Sequence, residues 1–426
     1  MGALVRPKYN PFRPNNIITP GMFKGRGPEI DRLERCLYQT KLSNPTHFLI
    51  QGERGIGKSS LFFLLEHLAA GKIPTIGEDR LSFVVVAVDL GTAGTELDVI
   101  REIAKGIRTA MASVDELKQR AKDFWDWLSK WEVLGVRYHG GATSTETMDA
   151  LDELVSRVGQ LCESLAGYRD GLLLLVDEAD RPGGTANLGA ICKLMTERLT
   201  RQGCSRVLLG LAGLPSLIGQ LKASHESAPR LFTTMLLEPL LDDEVREVIK
   251  SALKEANSKN ERQTTIAEAA IQLLVSLSEG YPHFIQQFCF SAFDADTDDN
   301  ISVDDVLNGA YEENGALWQL GDKYFNEMYN LKIASDNYRT VLDTMAQVGD
   351  EWIARKDIIK NSGLPPSQVT NALNAMKSRD IILSDESRKN KGYYRLPTRS
   401  FAAWINAYSE VRQQKAASDE EVSTPK

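Results

Sequence analysis

The eight residues Gly52-Glu53-Arg54-Gly55-Ile56-Gly57-Lys58-Ser59 constrain this chain more than any other stretch. They fill the pattern G-x-x-x-x-G-K-[ST] in the context that pattern needs. Before them runs the apolar Thr46–Gln51, which reads as a buried strand. After them Ser60–Ala70 runs without Gly or Pro and reads as a helix. Glycines at these positions let the backbone curl with its N–H groups turned inward, and the helix start adds the positive end of its dipole. The result is a phosphate cradle. Its contacts come from Gly52 to Gly57, Lys58, Ser59 and Ser60, with Lys58 supplying a cation for β- and γ-phosphates and the Ser59 hydroxyl a ligand for Mg2+.

A second motif extends this to a nucleoside triphosphate. Leu172-Leu173-Leu174-Leu175-Val176 is an unbroken apolar run, as expected of a parallel strand covered on both faces, and it ends in Asp177 and Glu178. Ligands of such sheets gather at the carboxyl ends of the strands. Asp177 is therefore expected to emerge beside Ser59 and hold Mg2+ through water, and Glu178 to orient or deprotonate the attacking water. The letters Asp177-Glu178-Ala179-Asp180 echo a helicase motif, but nothing else in the chain supports two helicase cores.

At 426 residues the chain is too long for one ordinary domain. Its apolar runs are strand-length, so no membrane span or secretory segment is expected. Cys36, Cys162, Cys192, Cys204 and Cys289 are scattered and never spaced C-x-x-C, which fits thiols in a reducing cytoplasm rather than a disulfide frame or zinc site. The net charge of −8 argues against uniform coating of nucleic acid but leaves room for a local basic module.

Further strands are expected at Phe83–Leu90 and Arg206–Gly213, and helices at Asp31–Leu42 and Thr95–Met111. Strand and helix alternate, which predicts an α/β fold with an open parallel sheet. The expected organisation is an extended, proline-punctuated segment over 1–20 and an α/β nucleotide core over 21–240. Within that core lies an insertion at about 113–146 that carries Phe124-Trp125-Asp126-Trp127 and reads as a packed aromatic cluster or partner surface. A helical lid with a connecting helix follows over 241–334, then a C-terminal module over 335–410 and a disordered polar tail over 411–426. The acidic run Asp294–Asn300 lacks the glycine and glutamate of a calcium loop and reads as an acidic loop with Ser302 capping the next helix, calcium binding being the lesser alternative.

In the C-terminal module, helices are expected at Asn337–Ala346, Arg355–Ser362 and Pro366–Arg379, followed by β-like pieces at Ile381–Ser384 and Tyr393–Leu396 around a basic turn. Helix, helix-turn-helix and hairpin in that order resemble the winged-helix family. From Ser335 to Ile405 there are eleven Lys/Arg against eight Asp/Glu, a local reversal of the overall sign. In a DNA-binding member Gln368, Thr370, Asn371, Asn374 and Lys377 would face the major groove. Arg388, Lys389 and Lys391 would reach phosphate or the minor groove. A protein-docking winged helix is the other reading.

Phe23-x-Gly25-Arg26-x-x-Glu29-Ile30, the phosphate loop, Leu172–Asp180, Leu208–Pro215 and Arg230–Val245 together resemble the AAA+ ATPases, nearest their initiator-like (origin-recognition-type) and STAND-type branches. The resemblance covers about residues 20–310. It implies a RecA-like core in which Phe23, Gly25 and Arg26 lie against the adenine, and ATP held between core and lid with Mg2+. It implies that Arg230 either serves as an arginine finger in the ATP site of a neighbouring subunit or is an ordinary surface arginine. Two features depart from the pattern. Val207–Gly213 lacks a terminal polar sensor, Ser216 being the nearest candidate, and His283 stands where many members have an arginine. Gly280-Tyr281-Pro282 resembles the Gly-x-Pro element of STAND switches, which makes Pro282 a nucleotide contact, with His283 either a phosphate sensor or a packed side chain. The function implied is an ATPase, a slow one if the missing arginine matters, that couples nucleotide state to duplex DNA binding. The alternative is a nucleotide-gated signalling switch that binds protein.

Overall fold

The computed structural model describes residues 8–112, 126, 144–182, 186–333, 335–385 and 392–409. The chain divides into two compact units, one formed by Ile17–Glu238 and the other by Met1–Asn16 together with Pro239–Lys426. The tryptophan-rich part of the insertion, the basic turn with Arg388, Lys389 and Lys391, and the polar tail lie outside the described residues.

The first unit is built on β1 (Phe48–Gln51), β2 (Val84–Asp89), β3 (Leu172–Asp177), β4 (Val207–Gly213) and β5 (Thr233–Leu236). They form one sheet in the order β2-β3-β4-β1-β5, with every pairing parallel. Parallel neighbours need crossovers, supplied by α2 (Lys58–Ala69), α3 (Glu96–Ala112), α4 (Ser144–Ser164), α5 (Leu188–Arg201) and α6 (Leu217–Ser224), while α1 (Gly27–Lys41) precedes the sheet. All of β1 and β4 and the first five residues of β3 are buried, because helices cover both faces. Their carboxyl ends share one edge: Gln51 lies opposite Gly213, and Asp89 opposite Asp177. Strand β5, which the apolar patterning does not announce, closes the outer edge with only Met235 of its four residues buried.

The second unit opens with α7 (Asp242–Lys259), α8 (Glu268–Ser278), α9 (Pro282–Ala295) and α10 (Val303–Tyr311). Between them β6 (Thr265–Ile266) and β7 (Asn300–Ile301) make a short parallel pair that the helical periodicity conceals. Ser302 caps α10 in a reciprocal box with Asp305. The acidic loop before β7 is neutralised by side chains, with Lys8 Nζ 3.0 Å from Asp296 and 2.6 Å from Asp299. Residues 8–16 do not stand free. Phe12 is buried edge-on to Phe293, the Tyr9 N–H donates to Asn260 at 2.8 Å, and the Arg13 N–H donates to Gln286 at 2.7 Å.

A short helix, α11 (Ala316–Leu320), runs into two π-helical turns, Gly321–Phe325 and Glu327–Leu331. Then come α12 (Asp336–Ala346), β8 (Ile353–Ala354), α13 (Arg355–Ser362), α14 (Pro366–Ser378), β9 (Leu383–Ser384) and β10 (Tyr393–Arg395). The three short strands form an antiparallel sheet in the order β8-β10-β9. This is the winged-helix arrangement, and residues 399–409 add a further helix.

Candidate functional site

The phosphate loop leaves β1 at the carboxyl edge of the sheet. Gly55 (φ 76°) and Gly57 (φ 98°) take left-handed conformations that only glycine adopts without strain. Gly52 is packed so closely that a Cβ would lie 2.7 Å from Ile56 Cγ2. Gly57 leads into α2, whose first turn receives no side-chain cap, so its N–H groups remain directed at the loop's interior. Lys58 Nζ donates to the carbonyls of Gly52 at 2.8 Å and Glu53 at 3.0 Å. Burial lowers its pKa, against the opposing pull of the Asp177, Asp180 and Glu53 carboxylates. Glu53 and Arg54 are exposed at the loop tip, and Ser60 Oγ accepts the Ile18 N–H at 3.4 Å.

Strand β4 lies between β1 and β3, so the two motifs are two strand spacings apart, roughly 10 Å. The loop and the start of α2 bridge that gap, and Ser59 Oγ donates to Asp177 Oδ2 at 2.6 Å. The end of β4 makes room. Gly213 has no side chain where a Cβ would come 2.6 Å from Asp180 Oδ1, and its carbonyl accepts the Gly52 N–H at 3.3 Å. Asp180 Oδ1 in turn accepts the Leu214 N–H at 2.9 Å, tying the ends of β3 and β4 together.

Glu178 sits at φ 50°, a conformation that turns it out of the strand. Its carboxylate meets Arg181, with Nε 3.4 Å from Oε2. Asp89 ends β2 beside it: a Cβ on Gly91 would lie 2.8 Å from Glu178 Oε2 and 3.1 Å from Asp89 Oδ1. Lys58, Ser59, Asp177, Glu178 and Asp89 thus share one edge. Asp89 and Arg181 have no signature in the sequence beyond strand end and acidic turn, and only the register of β2 against β3 brings Asp89 into the group.

In the Phe23–Ile30 segment, Phe23 and Gly25 are half-buried, but Arg26 is turned inward. Its guanidinium is 6% exposed and donates to the Ile56 carbonyl at 3.1 Å, with Glu29 at 3.4 Å. Ser216 is exposed at the start of α6, and Arg230 is exposed in the 3-10 turn Ala228–Leu231 directly before β5.

Pro282 and His283 belong to the other unit, where Pro282 opens α9. The His283 ring packs 5.3 Å from the Tyr324 ring. Its Nε2 has no hydrogen-bond partner among the described residues. Burial, helped by Lys323, lowers its pKa to about 4, while a hydrogen bond to the Pro14 backbone opposes this. It is a neutral, packed histidine near pH 7.

On the winged helix, Val369, Ala372, Leu373 and Met376 of α14 are buried and Gln368, Asn371, Asn374 and Lys377 are exposed on the opposite face. Thr370 is half-buried and its hydroxyl donates back to the Pro366 carbonyl at 2.7 Å. Gln368 accepts from Asn337 of α12 at 3.1 Å.

No protein-family model and no curated protein matches the chain. Among solved structures it is similar to the Aeropyrum pernix ORC2 protein in its ADPNP–ADP complexes, with 15% identity, 96% of this chain and 99% of that one covered, and a TM-score of 0.55. It is also similar to a Walker-type ATPase of Pyrococcus abyssi, with 16% identity, 90% and 96% coverage, and a TM-score of 0.53. Over nearly its whole length the chain therefore shares the fold of these two structures, a five-stranded parallel core followed by helices and a winged helix. No helix among the described residues is long and apolar enough to cross a membrane.

Proposed function

We propose that this chain binds and hydrolyses Mg-ATP and couples its nucleotide state to duplex DNA binding through the winged helix. The observation that carries the reading is the Ser59–Asp177 contact at 2.6 Å beside Lys58 and the two left-handed glycines. A hydroxyl and a carboxylate in contact make the oxygen donor pair that a hard divalent cation prefers, and the loop's amides and the half-buried Lys58 ammonium suit a triphosphate. Such a cation, when bound, offsets charge on the β- and γ-oxygens. Lys58 holds those oxygens, Glu178 orients the attacking water, Phe23 and Gly25 contribute nucleotide contacts, and Arg26 keeps the loop in shape. In this reading Arg230, exposed before β5, serves as the arginine finger of a neighbouring subunit, which makes self-association through a shared ATP site part of the proposal. Gln368, Asn371 and Lys377 read the groove, and Arg388, Lys389 and Lys391 bind phosphate.

The similar fold of the Aeropyrum pernix ORC2 protein, described with ADPNP and ADP, supports the nucleotide half of this reading. Steady-state ATP turnover with and without duplex DNA, for wild type and Glu178→Gln, tests it. The expected result is DNA-stimulated turnover that falls by roughly 10²–10⁴ in Glu178→Gln. Turnover indifferent to both would overturn it. The neutral, packed state of His283 favours one second reading, a slow nucleotide-gated switch that binds a protein partner, in which ATP is held without DNA-stimulated turnover.

A further inference from the structure

Three consecutive residues at the end of α8 each make a different attachment. Gly280, at φ 74°, accepts the Leu240 N–H on its carbonyl at 2.8 Å, and a Cβ there would lie 2.2 Å from the Leu240 oxygen. Leu240 is the second residue of its unit after the chain leaves the nucleotide core at Glu238. Tyr281 leads into α9. Glu279, which ends α8 at φ 48°, reaches the other way. Its Oε2 accepts the Arg399 N–H at 2.6 Å and the Ser400 N–H at 3.3 Å, the first two amides of the helix over residues 399–409.

The contact is built, not incidental. Ser400 is fully buried and its hydroxyl donates to the Leu277 carbonyl, while the Arg399 guanidinium donates to Ser276 Oγ and, at 3.0 Å, to Asp350 Oδ1. Thr398 Oγ1 accepts the Phe401 N–H at 3.1 Å, so Thr398 caps one amide of this helix and Glu279 two others. Further along, Asn406 donates to the Ala346 carbonyl at the end of α12 at 3.0 Å. Phe401 and Trp404 pack at 5.2 and 5.9 Å from Phe325, and a Cβ on Gly321 would strike the Trp404 indole at 2.0 Å. One end of this helix therefore grips α8, while its body packs on the π-helical turns and reaches the end of α12.

We propose that Glu279 is a positioning residue, a clamp through which displacement entering at Leu240 and Gly280 is carried to the winged helix. The clamp is a property of this unit alone; only its consequence for DNA rests on the function proposed above. The charged groups facing the carboxylate are Asp350, from the loop after α12, and Arg399. Burial raises the Glu279 pKa to about 7, opposed by the Ser400 and Arg399 amides and the Arg399 guanidinium and reinforced by Asp350. The sign follows from linkage. A carboxyl whose pKa is higher clamped than released favours the clamp when protonated, so the clamp weakens as pH rises from about 4.5 through 7, by about tenfold between pH 6 and 8.

Hydrogen exchange over residues 399–409 of the full chain, corrected for intrinsic rates, tests this. Wild-type protection is expected to fall about tenfold from pH 6 to pH 8. Glu279→Gln keeps an acceptor oxygen without a titrating charge and is expected to hold protection level across that range. Glu279→Ala leaves two amides without an acceptor and is expected to be poorly protected at both pH values. A level wild-type profile, or a Glu279→Gln profile that still falls, would overturn the clamp. The ratio of duplex DNA affinities with ATP and with ADP is expected to approach one in Glu279→Ala. If the wild type shows no nucleotide-dependent DNA binding while the exchange results hold, the functional reading fails and the clamp stands.

Discussion

The guanidinium of Arg26 donates to the carbonyl of Ile56 at 3.1 Å, across 30 residues of sequence. Arg26 also precedes α1 in a left-handed conformation, φ 63°, and reaches Glu29. One buried cation thereby joins the Phe23–Ile30 segment to the crest of the phosphate loop. The shape of the loop depends on a residue outside the loop motif.

Arg26→Ala is expected to weaken ATP binding by roughly tenfold and to destabilise the core by about 1–3 kcal/mol, because a buried carbonyl and a carboxylate lose their donor. Calorimetric titration with ATP and denaturant unfolding measure the two effects. Arg26→Lys is expected to recover little, since one ammonium cannot reproduce the planar fork that serves both partners. Unchanged affinity in Arg26→Ala would remove the brace from the account of the site.

His47, just before β1, accepts the Leu209 N–H on Nδ1 at 3.2 Å, and burial lowers its pKa to about 4. The folded state resists protonation that the unfolded chain accepts below about pH 6.5. Its contribution is therefore full above 6.5 and is lost as pH falls towards 4, by roughly 3 kcal/mol in all. His47→Gln keeps an acceptor but does not titrate. Urea midpoints from pH 7 to 4 are expected to fall less steeply in this variant than in wild type, and equal slopes would contradict the assignment.

The five cysteines should react in a definite order. Burial raises Cys36 to about 11 and Cys192 to about 12, and pushes Cys289 up further. Cys204 is lowered instead, by the hydrogen bond it receives from the Cys162 thiol. Limiting iodoacetamide near neutral pH is expected to alkylate Cys204 first, as read by peptide mass mapping. Cys162→Ala removes the donor and is expected to slow that reaction. First labelling at Cys192 would contradict the burial pattern.

Legibility followed the range of the forces involved. Strands β1 to β4 were readable because apolar runs covered on both faces leave a continuous mark. Helix α13 is legible at Arg355–Ser362, where glycine and proline just beyond it stop the helix. Strand β5 was not readable, since Thr233, Thr234 and Leu236 are exposed and only pairing with β1 makes the segment a strand. The pair β6–β7 spans two residues each and has no period to detect. The extended N-terminal segment gave no hint that Asn10, Phe12 and Arg13 meet partners some 270 to 290 residues away.

By itself the sequence determined the phosphate loop, the acidic end of β3, the alternation that makes an α/β core and the helix order of the winged helix. These rest on local backbone demands and on which faces must be dry, and both are written within a few consecutive residues. The tertiary structure alone decided that Arg26 braces Ile56, that Asp89 stands beside Asp177, that His283 is packed and neutral, and that Glu279 caps a helix 120 residues away. Such contacts arise when the whole chain folds and each buried polar group must find a partner wherever one comes within reach.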